Sequence, residues 1–356
     1  MNITFLIGNG FDVGIGMKSR FKNFFPIYQE QSKNKPERIK QLSDEIGTDH
    51  DTWADFEAEL GRYTIKFNKD TKQDFIDQVK DFEKDFIAYL QAEENSLKFD
   101  EGKDIESIIL KALLKFYSDA ILAPESRDAI NAVFAANGSD NHNYNFVNFN
   151  YTYALEKCLE KVPQKVVCKR KFGSSDRSDK IGIIVHVHGK CDLYPIIGVN
   201  DTSQIANKEL AEDKSFSRYF VKPSLNTLLR QGNDIDATTL ISKSKIICVY
   251  GMALGETDKK WWQLLIKWLS GEPSRQLVIF DYDEKYTTST QFAWLEKEDS
   301  IIAKLGDYNS NSGINIEDLR TRIHIAIHKN IFAMDIPRKN KDEWKKVLSE
   351  INEAGI

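Results

Sequence analysis

The chain has 356 residues, 41% of them hydrophobic, and its 49 basic and 54 acidic side chains give a net charge of −5. This length allows a sizeable core in one large domain or two ordinary ones, and the acidic balance argues against tight, sequence-independent binding of nucleic acid, which needs a basic face. With no run of about 18 apolar residues and no signal-type N-terminus, we expect a cytoplasmic protein without a membrane partner.

The N-terminal residues predict a strand that runs into a glycine turn. Residues 2–7 are β-branched, aromatic and apolar, which indicates a buried strand. The turn that follows contains glycines, which permit close backbone approach, and the N–H groups at a helix start can bind phosphate. The same turn could instead serve only to pack a helix on the strand. The predicted phosphate-binding residues are Gly8, Asn9, Gly10, Phe11 and Asp12.

Residues 18–135 follow a different pattern, with apolar side chains at three- and four-residue spacing. The stretches Lys72–Glu93 and Ile105–Leu122 show this spacing clearly, which is typical of amphipathic helices. We expect this block to be a helical insertion after the first strand-turn-helix.

From residue 144 onward, short β-rich runs alternate with helical patterns, which predicts βαβ units and a mostly parallel sheet. The predicted strands are Tyr144–Phe149, Lys165–Lys171, Ile181–Val187, Ser244–Tyr250, Gln276–Phe280 and Arg322–Ile327, and the predicted helices are Tyr153–Lys161, Lys259–Leu269, Ser289–Leu305 and Lys341–Ile351. Residues 200–240 are polar and ambiguous. We predict one α/β domain with a Rossmann-like, mostly parallel sheet flanked by helices, its core at about 1–20 and 140–335 and its C-terminal helix at 336–356.

Ligands of parallel sheets bind beyond the carboxyl ends of the strands, so the residues there are the candidates for chemistry. Asn150 follows one strand, and its amide could orient a water or a ribose hydroxyl. Thr152 lies two residues on, and either residue could instead cap the next helix. His188 ends another strand before Gly189 and is a candidate general base, or alternatively a purely structural histidine. Strand alternation predicts that His186 and His188 share a face.

A second glycine-bracketed turn runs from Gly251 to Asp258, and its aspartate could hold a ribose hydroxyl or cap a helix. Asp281 and Asp283 end the next strand and have the same two interpretations. The cysteines lack C-x-x-C spacing, which predicts isolated thiols. His186 and His188 have no third ligand at a convincing spacing, so no metal site is predicted.

An ordered set of motifs resembles the bacteriophage abortive infection family AbiH. The set covers nearly the whole chain in the order typical of that family: Gly8–Asp12, Trp53 with Glu57, Phe149–Thr152, His188-Gly189, Gly198–Asp201 and Tyr250–Asp258. The resemblance implies an antiphage protein that acts in abortive infection, with a phage-derived trigger and copies of the chain itself as further partners.

AbiH is in turn distantly similar to sirtuin-type NAD-consuming domains. Their Asn-x-Asp turn is similar to Asn150–Thr152 and their catalytic His-Gly to His188-Gly189, while Gly8–Asp12, with Gly16 and Phe21, falls loosely on their glycine turn. Thr152 stands where those enzymes carry Asp, and the paired cysteines of deacetylases are absent.

This similarity implies cleavage of NAD to nicotinamide and ADP-ribose without a metal. His188 would accept a proton, Asn150 would place water or a ribose hydroxyl, and Asp12 would orient the ribose or stabilise positive charge. Thr152 keeps open a sensor that binds NAD without cleaving it, and the helical block keeps open an interaction module. The implied nucleotide-binding residues are Gly8, Asn9, Gly10, Phe11, Asp12, Thr152, Gly189, Gly251 and Asp258.

Overall fold

A computed structural model describes residues 1–48, 55–282 and 291–339. Trp53, Asp283 and the predicted helix Lys341–Ile351 therefore lie outside the described residues. The strands are β1 Asn2–Ile7, β2 Asn143–Asn148, β3 Val166–Phe172, β4 Ser175–His186, β5 Ile246–Tyr250, β6 Gln276–Asp281 and β7 Ile323–Ile327. They form one seven-stranded sheet in the order β3-β4-β2-β1-β5-β6-β7, parallel throughout except at β3. The predicted mixed α/β class with a mostly parallel sheet is confirmed.

Only helical elements lie between β1 and β2 in the described part of the chain. They are α1 Gly10–Gly14, α2 Phe21–Ser32, α3 Glu37–Thr48, α4 Phe56–Tyr63, α5 Lys72–Asn95, α6 Ile105–Lys115 and α7 Pro124–Ala136. Helix α5 follows the predicted Lys72–Glu93 closely. Helix α6 ends at Lys115, seven residues before the predicted end at Leu122. The turns that follow contain Ser118 and Asp119, residue types that compete with a helix for backbone hydrogen bonds.

The remaining helices lie after β2. They are α8 Ala154–Leu159, α9 Lys208–Glu212, α10 Lys214–Phe220, α11 Lys222–Leu228, α12 Asn233–Ser242, α13 Lys259–Ser270 and α14 Gln291–Tyr308, with short 3₁₀ turns at Pro163–Lys165, Thr202–Gln204, Glu256–Asp258 and Ile316–Arg322. A further 3₁₀ turn, Thr64–Lys66, lies between α4 and α5. The ambiguous stretch 200–240 is thus mainly helical. Phe216 and Phe220 of α10 pack on Phe75 of α5, with ring centroids 5.3 and 5.0 Å apart, and so attach this stretch to the helical block.

The edge of the sheet departs from the prediction, because β3 and β4 form an antiparallel hairpin. Gly173 takes the turn with a φ of +59°. Strand β4 begins at Ser175, six residues before the predicted start at Ile181. Polar residues fill 175–180, so the hydrophobic pattern that indicates a strand is missing there.

Both faces of the central strands are buried, which accounts for their nearly continuous apolar sequence. Ile3, Phe5 and Ile7 of β1 point into one core cluster, whereas Leu6 points into another that includes Trp262 of α13. A third cluster joins the helices α2 to α5 with residues 197–221. No helix among the described residues combines the length and apolar character needed to span a bilayer.

Candidate functional site

A cavity of about 300 Å³ lies at the carboxyl ends of four neighbouring strands. Gly8, Asn150, His188 and Gly251 line it, and they follow β1, β2, β4 and β5 respectively. Strand register explains the convergence, because Ile7 pairs with Asn148 and Tyr250, and Asn148 pairs with His186. Chain order reverses between β1 and β5, and α/β sheets bind ligands at such a point.

The two glycine turns touch each other directly. The Gly10 N–H donates to the Gly251 carbonyl at 2.8 Å, and a Cβ on Gly10 would lie 2.5 Å from the Gly251 Cα. Gly251 also has a φ of +69°, which favours glycine. The N–H groups of Gly8 and Phe11 donate to the carbonyls of Tyr250 and Gly8. Three N–H groups predicted to bind phosphate are therefore already bonded to protein carbonyls.

Asp12 is the most constrained carboxyl group at the cavity, with 2% of its surface exposed. Thr152 donates its hydroxyl to Asp12 Oδ2 at 2.7 Å, and Asn150 Nδ2 donates to Asp12 Oδ1 at 3.1 Å. Burial raises the pKa of Asp12 to about 7, with the carboxylates of Glu94 and Glu156 adding to the rise and the two hydrogen bonds opposing it. The group therefore changes protonation near neutral pH.

Asn150 is held through both its side-chain amide and its backbone carbonyl. Its Nδ2 also donates to the Gly8 carbonyl at 3.1 Å, which ties the turn after β2 to the turn after β1. The carbonyl of Asn150 lies 2.9 Å from His186 Nδ1, and the other nitrogen of that ring contacts the Glu156 carboxylate. His186 thus positions Asn150.

His188 has partners different from those of His186, which contacts Asn150 and Glu156. Strand β4 ends at His186, and alternation no longer governs a residue in the turn beyond it. The His188 ring packs edge-on against Phe149, with centroids 5.6 Å apart, and is 7% exposed. Burial and the ammonium of Lys222 hold the pKa of His188 well below its usual value.

Lys222, the first residue of α11, is absent from the predicted site residues. It is 2% exposed, donates to Glu57 Oε2 at 2.6 Å, and places its Nζ 3.4 Å from His188 Nε2. An ammonium can only donate, so this contact puts the imidazole lone pair on Nε2. The pKa of Glu57 is raised by burial, although Lys222 opposes the rise. The only local signal is Pro223, which marks a helix start in an otherwise ambiguous stretch.

Asp258 lines the cavity from the turn after β5. It occupies the N-cap position of α13, yet its side chain makes no capping hydrogen bond. Burial raises the pKa of Asp258 to about 7; Lys222 opposes the rise, and Glu57 and Asp55 add to it. In residues 1–48, 55–282 and 291–339, no group of three or more His, Cys, Asp or Glu side chains is arranged to hold a metal.

Four predicted nucleotide-binding residues support the cavity from behind rather than lining it: Gly10, Phe11, Thr152 and Gly189. Phe11 is buried against Phe332, with ring centroids 5.4 Å apart. Gly189, with a φ of +74°, lets the backbone pass close to the Tyr194 carbonyl. Asn9, Asp12, Gly251 and Asp258 do line the cavity, whereas Asp281 pairs with Lys297 at 3.1 Å.

A protein-family model described as bacteriophage abortive infection AbiH matches residues 4–281. The matched span includes every cavity residue named above, from Gly8 to Asp258. No curated protein matches the chain.

Proposed function

The chain belongs to the bacteriophage abortive infection AbiH family, which gives it a role in phage abortive infection, and we propose that it acts there by cleaving NAD to nicotinamide and ADP-ribose. In this proposal the sheet is a Rossmann-like, sirtuin-like nucleotide core. The helices between β1 and β2 are an insertion that closes its cavity. A phage-derived trigger, or assembly of several copies, would control the reaction in the cytoplasm.

The observation that carries the proposal is the convergence of Asp12, Asn150 and His188 on one cavity at the strand ends. Breaking the bond between nicotinamide and ribose builds an oxocarbenium-like cation, which needs positioning and a directed water more than a strong nucleophile. Water forms a bond to the ribose carbon as nicotinamide leaves. The electron pair of the broken bond neutralises the pyridinium ring, and the water gives up one proton.

Asp12 is the best placed acceptor of that proton. A pKa of about 7 matches a neutral working pH, which is where acid–base catalysis is most efficient. His188 is a weaker candidate, because its Nε2 faces Lys222 and its pKa is depressed. We therefore propose that His188 positions the nicotinamide ring or the ribose of NAD. Asn150 uses its Nδ2 on Gly8 and Asp12, which leaves its Oδ1 to orient water or a ribose hydroxyl.

A non-catalytic NAD sensor is the second candidate function. Thr152 favours it, because the hydroxyl bonded to Asp12 stands where sirtuin-type enzymes carry a carboxylate. Binding without turnover would then signal infection through assembly. The two functions differ in one measurable respect, the appearance of free nicotinamide.

Timed mass spectrometry of purified protein with NAD, and of NAD in infected cells, tests the proposal. We expect Asn150→Ala and Asp12→Asn to slow the release of nicotinamide by at least about 100-fold, the usual scale for an acid–base or positioning group. Asn143→Ala is the matched control, since Asn143 is an exposed residue at the opposite end of the same strand. NAD loss at the wild-type rate in both site variants would contradict the assignment.

A further inference from the structure

We infer that the cavity accepts the positively charged, oxidised nicotinamide ring in preference to the neutral reduced ring, and that it excludes phosphate. This inference rests on the proposed function and makes it more specific, because it states which end of the dinucleotide enters and in which redox state. Two independent features of the cavity wall support it, its charge and its aromatic surface.

The wall of the cavity is acidic. Asp12, Asp55, Glu57 and Asp258 all line the cavity, and no lysine or arginine lines it within the described part of the chain. Lys222 lies behind the wall and is paired with Glu57. Four carboxyl groups thus face one ammonium in a partly buried site, where charges interact more strongly than in bulk water.

Asp258 shows how burial, and to a smaller extent neighbouring charges, change the ionisation of a carboxyl group in this wall. Its pKa of about 7 reflects burial together with the nearby charges of Glu57 and Asp55, offset by Lys222. A cation in the cavity would favour the ionised form of this group, and an anion would disfavour it further. A cation beside Asp258 is therefore favoured over an anion.

The aromatic surface is supplied by five side chains: Phe21, Phe56, Phe86, Phe149 and Tyr151. Phe21 and Phe56 stack at 5.8 Å with planes 14° apart, and Phe86 meets Tyr151 edge-on at 6.3 Å. Flat rings pack well against such a wall. A cation over an aromatic face is attracted by the ring in addition, and a neutral ring does not gain this attraction.

A phosphate group would meet the opposite conditions. It would lie beside the same carboxyl groups, and the N–H groups of Gly8, Gly10 and Phe11 are already bonded to carbonyls. Helix α1 has five residues, too few to supply a strong helix dipole. The pyrophosphate of a bound dinucleotide would therefore lie toward the mouth of the cavity.

Two small probes isolate the charge of the ring. 1-Methylnicotinamide is a permanent cation, and 1-methyl-1,4-dihydronicotinamide is its neutral form with one hydride added. Neither contains a glycosidic bond, so the protein cannot hydrolyse them during the measurement. Titration calorimetry of the full chain at pH 8 should show at least tenfold tighter binding of the cation, and no competition from inorganic phosphate.

The variant Asp258→Asn should reduce this preference several-fold, because it removes one charge without removing a capping bond. Asp176→Asn, on the exposed part of β4, changes the net charge equally and should leave the preference unchanged. Equal binding of the two rings, or phosphate competition with the cation, would overturn the charge selectivity while leaving NAD cleavage intact. Binding of NAD with no binding of either ring would also overturn it. If neither ring nor NAD binds, the proposed function fails as well.

Discussion

The Asp12 carboxyl group shows how one residue of the site weakens the fold that holds it. Its pKa in the folded protein, about 7, lies above its ordinary value of 3.8, so the folded state binds the proton more tightly than the unfolded state does. Proton binding by Asp12 stabilises the folded state fully below pH 3.8, and this stabilisation is lost as the pH rises through about 7. The difference corresponds to roughly 4 kcal/mol. Above neutral pH, an ionised Asp12 therefore destabilises the protein.

The variant Asp12→Asn should remove both the loss of stability above neutral pH and the cleavage of NAD. Asparagine can accept from Asn150 and donate to the Thr152 hydroxyl, so both hydrogen bonds can be kept. Urea unfolding of wild type and variant between pH 4 and pH 8 should show the variant gaining in relative stability, by a few kcal/mol at pH 8. Asp176→Asn is the control for a lost exposed charge. A difference between wild type and Asp12→Asn that stays constant with pH would contradict the assigned pKa.

At the scale of secondary structure elements, the close contact between the turns after β1 and β5 fixes the floor of the cavity. Gly10 and Gly251 each lie where a Cβ would collide with the backbone of the other, and backbone atoms cannot move aside as a flexible side chain can. From the sequence, the turn after β1 could bind a ligand or could serve only to pack a helix on the strand. The tight packing is present, and it is compatible with a role in binding. Gly8 and Gly251 line the cavity and directly follow the paired parallel strands β1 and β5.

Gly10→Ala should lower the free energy of unfolding by roughly 3 kcal/mol, as expected for overpacking against a rigid neighbour. Gly14→Ala, four residues later in the same segment, is the matched control. A Cβ there would meet only the Tyr250 hydroxyl and the Asn330 side chain, at 3.6 and 3.7 Å, and alanine favours the helix by up to about 1 kcal/mol. Chemical denaturation of both variants measures the difference. Equal stability of Gly10→Ala and wild type would show that the two turns are not in contact.

Elements with a local signal were predictable, and those that depend on distant partners were not. The strands β1, β5 and β6 are nearly continuous apolar runs, and the helices α5 and α13 have apolar side chains at helical spacing. The bounds of all five agree with the predictions to within a few residues. The polar first half of β4 forms a strand because β3 pairs with it, which no local pattern reveals.

The residues of the candidate site also divide into those with a local sequence signal and those that depend on distant partners. Asn150, His188 and Asp258 could be selected because they follow strands, and parallel strands end at one edge of the sheet. Lys222 could not, because its position depends on α10 packing against α5 through Phe216 and Phe220. Glu57 was indicated only by the family motif. The side of the cavity built by the helices is the part that depends on tertiary packing.

At the scale of the whole molecule, the cavity lies where two separately packed regions meet. The sheet and its flanking helices form two core clusters, and α2 to α5 form a third with residues 197–221. Gly8, Asn150 and Gly251 come from the sheet side, whereas Phe56 and Phe86 come from the helical side. A ligand in this cavity touches both regions. Its binding therefore strengthens the association of the two regions, and their association in turn strengthens binding of the ligand.

Binding of 1-methylnicotinamide should therefore slow hydrogen exchange in both regions at once. We expect protection in α5 around Phe86–Leu90 and in the turn Gly251–Asp258, because exchange requires opening and the ligand binds only the closed arrangement. Hydrogen–deuterium exchange with mass spectrometry, with ligand at about 100 times its dissociation constant, should show an increase in opening free energy of up to about 2.7 kcal/mol. The hairpin turn Phe172–Ser175, at the end of β4 away from the cavity, is the internal control and should exchange at the same rate with and without ligand. Protection confined to the turns after the strands would mean that the helical block does not form a wall of the binding site.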